Sequence, residues 1–132
     1  MKNQALTGRC ECGKVKFDIE SPQEAITVCH CSQCRRISGH LWAATRVPRY
    51  DQVKFQESEG LTWYTSSDFA KRGFCKYCGS SLFYRMNDEE GVGIAAGCIE
   101  SPTGMSIQRH IFTADKGDYY DIKDDVPILD KY

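Results

Sequence analysis

Ala25-Ile26-Thr27-Val28-Cys29-His30-Cys31-Ser32-Gln33-Cys34 runs a β-rich segment straight into three closely spaced thiols. In an extended chain, residues i and i+2 project to the same side, so Cys29 and Cys31 aim both sulfurs at one point. The two-residue gap to Cys34 turns the chain, and backbone amides near such a turn can donate to thiolates. His30 projects the other way and takes a non-ligand role. Two further groups have the same character: Cys10-Glu11-Cys12, and Cys75-Lys76-Tyr77-Cys78 followed by Gly79. Cys98 stands alone after Gly93-Ile94-Ala95-Ala96-Gly97 and reads as a packed, inert thiol.

Eight cysteines in 132 residues is above average but below the density of a disulfide scaffold. Met1 to Thr7 contains no apolar run of the secretory kind, so the chain reads as cytoplasmic, where thiols stay reduced and a cysteine excess points first to metal. Seventeen Lys+Arg against eighteen Asp+Glu leave a net charge of −1, which argues against a general nucleic-acid binder. Hydrophobic residues at 41% and charged residues at 27% exclude intrinsic disorder. Mean hydropathy is −0.49, and no stretch approaches the ~20 apolar residues of a membrane span. The length predicts one domain over residues 1–132.

The thiols divide by arithmetic. A closed tetrahedral zinc site takes four sulfurs at about 2.3 Å, and a catalytic one has three protein ligands and an open position. Four of the seven clustered cysteines close one site and leave three. Cys29, Cys31 and Cys34 are the natural three-ligand set, with Cys10, Cys12, Cys75 and Cys78 for the closed one. Spacing alone does not force this partition: Cys31 and Cys34 with Cys75 and Cys78 would make a conventional zinc ribbon. A disulfide across Cys-x-Cys is strained, a thioredoxin-like motif lacks its βαβ context, and the spacings are not those of ferredoxins.

Around the thiols the chain is short β-runs between turns. Val15 to Glu20 alternates apolar and polar residues, as a half-buried strand does, and Ser21-Pro22 ends it. Further strands are read at 25–28, 41–47, 53–55, 61–65, 81–86, 92–97 and 106–112. Only Cys31 to Ser38 suits a helix, closed by Gly39. The fold expected is mainly β, packed antiparallel sheets with at most one short helix. The acidic stretch from Asp115 to Asp130 reads as a surface loop, and Lys14, Lys16 and the Lys71-Arg72 pair as solvated strand faces.

Cys10-Glu11-Cys12-Gly13, Cys29-His30-Cys31-Ser32-Gln33-Cys34-Arg35-Arg36 and Gly73-Phe74-Cys75-Lys76-Tyr77-Cys78-Gly79-Ser80 resemble, in order and spacing, the glutathione-dependent formaldehyde-activating enzymes, a family that includes centromere protein V. His110-Ile111-Phe112, Asp115-Lys116 and Tyr119-Tyr120 resemble that family's C-terminal signature. The resemblance implies a zinc-stabilised β-tent, the fold also seen in methionine sulfoxide reductase B-type domains. It implies a structural zinc on Cys10, Cys12, Cys75 and Cys78 and a catalytic zinc on Cys29, Cys31 and Cys34. The activity implied is that of a carbon–sulfur lyase joining a small thiol such as glutathione to a small aldehyde such as formaldehyde, or separating them. Arg35 and Arg36 are candidates for attracting a carboxylate of the thiol, and His40 and Trp42 for lining a pocket, though Trp42 also suits the core. His110 reads as structural. The alternative to an enzyme is a non-catalytic zinc-stabilised β module that binds a partner. Thiol-based reduction, as in the sulfoxide reductases, is a third reading.

Overall fold

The computed structural model describes residues 6–20, 22 and 24–132. Met1–Ala5 of the N-terminal segment, and Ser21 of the turn read at Ser21-Pro22, lie outside the described residues. A three-stranded sheet in the order β1-β2-β5 comprises Leu6–Arg9, Lys16–Ile19 and Val53–Glu57. A seven-stranded sheet has the order β10-β3-β4-β9-β8-β7-β6. Its strands are β3 (Ala25–Cys29), β4 (Trp42–Val47), β6 (Leu61–Thr65), β7 (Ala70–Cys75), β8 (Ser81–Met86), β9 (Val92–Ala95) and β10 (Ser106–Ile111). Every ladder is antiparallel except β10 on β3. One α-helix, α1 (Ser32–Ser38), ends on Gly39 at φ 87°, where the Gly39 N–H returns to the Arg35 carbonyl.

The alternation read at Val15 to Glu20 is real. Phe17 and Ile19 of β2 are buried while Lys16 is exposed, and they face Leu82, Phe83, Val92 and Ile94 of the larger sheet. Phe17 and Phe83 lie 5.1 Å apart between ring centroids, and Trp63 stacks on Phe83 at 6.1 Å. Each such side chain contributes roughly 1.5–3 kcal/mol on burial, so this apolar layer is what joins the two sheets. β9 is buried at all four positions, as its unbroken apolar run requires in mid-sheet. The run read to Gly97 leaves the sheet at Ala96, where Ala96–Cys98 forms a 3-10 turn.

Two strands lie outside the runs that the pattern marks, β1 and β7. Lys71 and Arg72 belong to β7, and the reading of the pair as solvated is wrong for Arg72, which is 6% exposed. β7 lies between β6 and β8 in the larger sheet, and its register shifts between Gly73 and Phe74. Strict alternation therefore does not report which of its side chains face inward.

The stretch after Asp115 carries no long strand, but it is tied down. The His110 N–H donates to the Pro127 carbonyl and the Leu129 N–H to the His110 carbonyl, both at 2.9 Å. No helix among the described residues is long and apolar enough to cross a membrane.

Candidate metal centres

The topology delivers the cysteines as two separate groups. The turn after β1 carries Cys10 and Cys12, and the end of β7 with the turn that follows it carries Cys75 and Cys78, so the first group bridges the two sheets. Its four sulfurs all lie within 4.8 Å of one another. Cys12 Sγ is 3.7 Å from both Cys10 Sγ and Cys75 Sγ. Each pair is followed by a glycine in the left-handed region, Gly13 at φ 84° and Gly79 at φ 81°. A side chain there would be strained. The reversal returns the Gly13 N–H to the Cys10 carbonyl and the Gly79 N–H to the Cys75 carbonyl.

Several donors converge on these sulfurs. The Val15 N–H donates to Cys10 Sγ at 3.3 Å. The Ser80 hydroxyl accepts from the Glu11 N–H at 3.0 Å and sits 3.2 Å from Cys78 Sγ, which leaves its proton for that sulfur and links the two turns. Burial opposes ionisation of Cys78, but the Ser80 hydroxyl and N–H outweigh it and bring the thiol down to about 5. Four converging sulfurs that receive such donors are the donor set a divalent metal with thiolate affinity requires.

The second group is Cys29, Cys31 and Cys34, again with sulfurs within 4.8 Å. Cys29 ends β3, Cys31 is the N-cap of α1, and Cys34 lies in the first turn of the helix. The Cys31 sulfur accepts from the Cys34 N–H at 3.3 Å, the place a serine or threonine oxygen usually fills. The Cys31 thiol is driven down to about 2, first by hydrogen bonds from Cys29 and Cys34 and then, against the cost of burial, by the Cys34 N–H and the Arg72 charge. The Cys29 thiol, which donates to Cys31, is pushed up. The group therefore holds negative charge on Cys31, between its two neighbours. The two sets stay apart, so the zinc-ribbon pairing of Cys31 and Cys34 with Cys75 and Cys78 does not form. Cys98 lies outside both. Its thiol donates to the Ala95 carbonyl at 3.1 Å, and burial pushes it up to about 12, as an inert thiol requires.

His30 is fully buried on the opposite face from its flanking cysteines, following Ile26 and Val28. It lies in a chain of polar contacts. Tyr120 Oη is 2.7 Å from His30 Nδ1, His30 Nε2 is 2.8 Å from His110 Nδ1, and His110 Nε2 is 2.9 Å from Asp124 Oδ2. With both imidazoles neutral, one arrangement satisfies every contact: Tyr120 donates to His30, His30 to His110, and His110 to the Asp124 carboxylate. Burial, followed by the charges of His110 and Lys116, lowers His30 from the ordinary 6.5 to about 4. Between these values the unfolded chain binds a proton that the folded chain refuses, so this ring subtracts stability as pH falls through the window. The His30 ring nitrogen shifts in an NMR titration are expected to stay flat from pH 7.5 down to about pH 5. A midpoint near 6.5 would contradict the buried neutral chain.

The remaining expected site residues separate. Trp42 is buried, packs with Cys34 and Ala95, and lines a cavity of about 370 Å³. His40 is exposed, with Nδ1 2.7 Å from Tyr119 Oη. Arg35 donates through Nε to the Asp115 carbonyl at 3.2 Å and so anchors the C-terminal segment to α1. Arg36 is exposed at the end of the helix. Neither arginine lines the Trp42 cavity; Arg72 does, and it donates through Nη2 to Cys34 Sγ at 3.3 Å.

Two cysteine groups in this order, four bridging the sheets and three at a strand-to-helix junction, accord with a match of residues 5–115 to the model of the glutathione-dependent formaldehyde-activating enzymes. The chain belongs to that family. An uncharacterized lyase of Schizosaccharomyces pombe is 29% identical over 120 residues, covering 86% of this chain and 82% of that one. The crystal structure of a Rhodobacter sphaeroides protein superimposes with a TM-score of 0.56 at 23% identity, covering 92% of this chain and 98% of that one, and so shares the fold. Family membership carries the coarse activity with it, that of a formaldehyde-activating enzyme of the lyase type. Tyr119, Tyr120 and Asp124 lie beyond the matched span.

Proposed function

We propose that this chain is a zinc-dependent carbon–sulfur lyase that joins a glutathione-like thiol to a small aldehyde, or reverses that addition. The observation that carries the reading is the three-sulfur group. Among the described residues Cys29, Cys31 and Cys34 converge without a fourth protein sulfur, next to a buried arginine on the wall of a cavity.

Cys10, Cys12, Cys75 and Cys78 would hold a structural zinc, and Cys29, Cys31 and Cys34 a second one open to substrate. Zinc in a three-thiolate site leaves a position for a fourth sulfur and keeps that thiol ionised at neutral pH. The protein's own residues do the rest. The Cys34 N–H and the Arg72 guanidinium stabilise negative sulfur at the centre. The α1 cap fixes Cys31 and Cys34 relative to each other. Buried His30, held by Tyr120 and His110, fixes the strand end that presents Cys29 and Cys31. Positioning a thiol against its electrophile is itself a large rate term.

The reading is tested by following S-hydroxymethyl thiol formation from glutathione and formaldehyde by NMR, with and without protein. The zinc-loaded chain is expected to exceed the background rate, and a rate equal to background would reject it. Metal analysis is expected to give two zinc ions per chain, one of them lost first under mild chelation together with activity. One tightly held ion, with turnover undiminished after chelation, would contradict the assignment of roles.

A further inference from the structure

Arg72 is 6% exposed, and among the described residues it is the only lysine, arginine or carboxylate that is buried. Its guanidinium is permanently charged, and no carboxylate among the described residues pairs with it. A buried charge left alone is costly, so a fold that keeps one sets a counter-charge beside it. Gln33 is not that counter-charge: its Oε1 accepts from Nε and Nη2 at 3.3 and 3.2 Å, but it is a neutral amide. The rings of Trp42 and Tyr84, with centroids 5.5 and 4.9 Å from the guanidinium carbon, add cation–π contacts and no negative charge. The neighbour that can carry one is Cys34 Sγ, which accepts from Nη2 at 3.3 Å and converges with the sulfurs of Cys29 and Cys31.

We propose that Arg72, held in place by Gln33, is the counter-ion of the three-sulfur centre, and that its charge is what lets the centre take an anionic sulfur as its fourth ligand. The proposal rests on the zinc-dependent lyase reading. Three thiolates with a divalent ion leave one negative charge. A neutral fourth ligand leaves that charge as it is. A thiol that binds through ionised sulfur, with its proton lost to solvent, raises it to two. Arg72 is attracted to both states, but more strongly to the second, because Coulomb attraction grows with the charge it faces. Burial keeps salt and water from screening the difference. The effect needs no contact between Arg72 and the incoming thiol. Arg72 acts through Cys34 and is a positioning residue.

Gln33 accounts for how the cation stays there. It lies on α1 between Cys31 and Cys34, and its Oε1 takes two donors of the guanidinium fork. Its Nε2 donates to the Ser66 carbonyl at 3.0 Å, just past the end of β6. The residue that spaces two of the sulfurs in the sequence therefore ties the helix that carries Cys34 to the strand that carries Arg72.

The test measures thiol affinity of the zinc-loaded chain by calorimetry, with zinc content read alongside. The probes are glutathione and mercaptoethanol, which on binding carries charge on its sulfur alone. Arg72→Met removes the charge and keeps a long side chain. It is expected to weaken both thiols at least about 10-fold, the lower end of what an outer partner of a metal ligand supplies, with both zinc ions retained. Arg72→Lys keeps the charge and is expected to recover most of that loss. Gln33→Glu, at an exposed position, gives up the Ser66 bond and sets a carboxylate on the guanidinium. It is expected to weaken both thiols as well, whereas a purely structural brace would be strengthened by that ion pair. Wild-type affinity for both thiols in Arg72→Met, or in Gln33→Glu should the first variant not fold, overturns the proposal. So does a loss confined to glutathione, which makes Arg72 a reader of its carboxylates. Arg72→Lys as weak as Arg72→Met, or loss of the second zinc in place of thiol affinity, overturns it too. None of these results touches the lyase reading, which falls on a wild-type rate equal to background. A zinc-loaded wild type that binds neither thiol overturns both.

Discussion

Cys31→Ser is expected to abolish turnover while leaving the fold in place. Cys31 accepts the Cys34 N–H at the N-terminus of α1, and serine is among the best residues for that position. The substitution therefore keeps the cap, the helix and the direction of the chain between β3 and α1. What it removes is one of the three converging sulfurs, the one that receives the Cys34 N–H. A serine hydroxyl does not ionise at neutral pH, and two remaining thiols make a poor site for a metal that prefers several thiolates. Loss of a partner that merely orients a ligand costs about 10–100-fold in metal affinity or activity, so loss of a ligand should cost more than about 100-fold. Metal analysis should fall from two ions per chain to one, with a thermal midpoint within a few degrees of wild type. Preserved turnover in Cys31→Ser would remove the three-sulfur group from the chemistry.

That separation between fold and site follows from what the sequence makes visible. The cysteine groups are legible because ligand spacing is a local property. Cys29-His30-Cys31 is extended, so its sulfurs share a face whatever the rest of the chain does. Glycines after Cys12 and Cys78 mark the reversals without any tertiary knowledge. The strands with clean alternation or solid apolar runs, β2 and β9, are legible for the same reason. Arg72 is not. It looks like one of two adjacent cations on a polar run. Only the pairing of β7 with β6 and β8, together with the register shift at Gly73, turns it inward beside Cys34. Asp124 is equally silent: it is one acid in an acidic tail until the tail pairs with β10 and brings it to His110. Adjacency in sequence also does not report what a neighbour of Cys34 contacts: Arg35 reaches the Asp115 carbonyl, and neither it nor Arg36 lines the Trp42 cavity.

Cys75→Ser is expected to do the opposite of Cys31→Ser and remove the fold itself. Cys75 is fully buried at the end of β7 and belongs to the same apolar cluster as Val15, Phe17, Leu82 and Phe83. Its group is what ties the turn of the small sheet to the turn of the large one, so a metal there closes contacts between residues more than sixty positions apart. A single large core truncation such as Phe17→Ala costs about 3–5 kcal/mol. Structural zinc sites in small peptides are worth an apparent 10–16 kcal/mol, against a total stability of about 5–15 kcal/mol for a domain. The metal term is therefore the one a domain of this size cannot lose. Thermal unfolding of Cys75→Ser should show no cooperative transition above room temperature and should match wild type stripped by a strong chelator. Cys98→Ser is the control, because a serine hydroxyl can keep the bond to the Ala95 carbonyl; its midpoint should stay within a few degrees of wild type. If Cys75→Ser unfolds as Cys98→Ser does, the four-sulfur group contributes packing alone, and the apolar layer centred on Phe17 and Phe83 holds the two sheets together unaided.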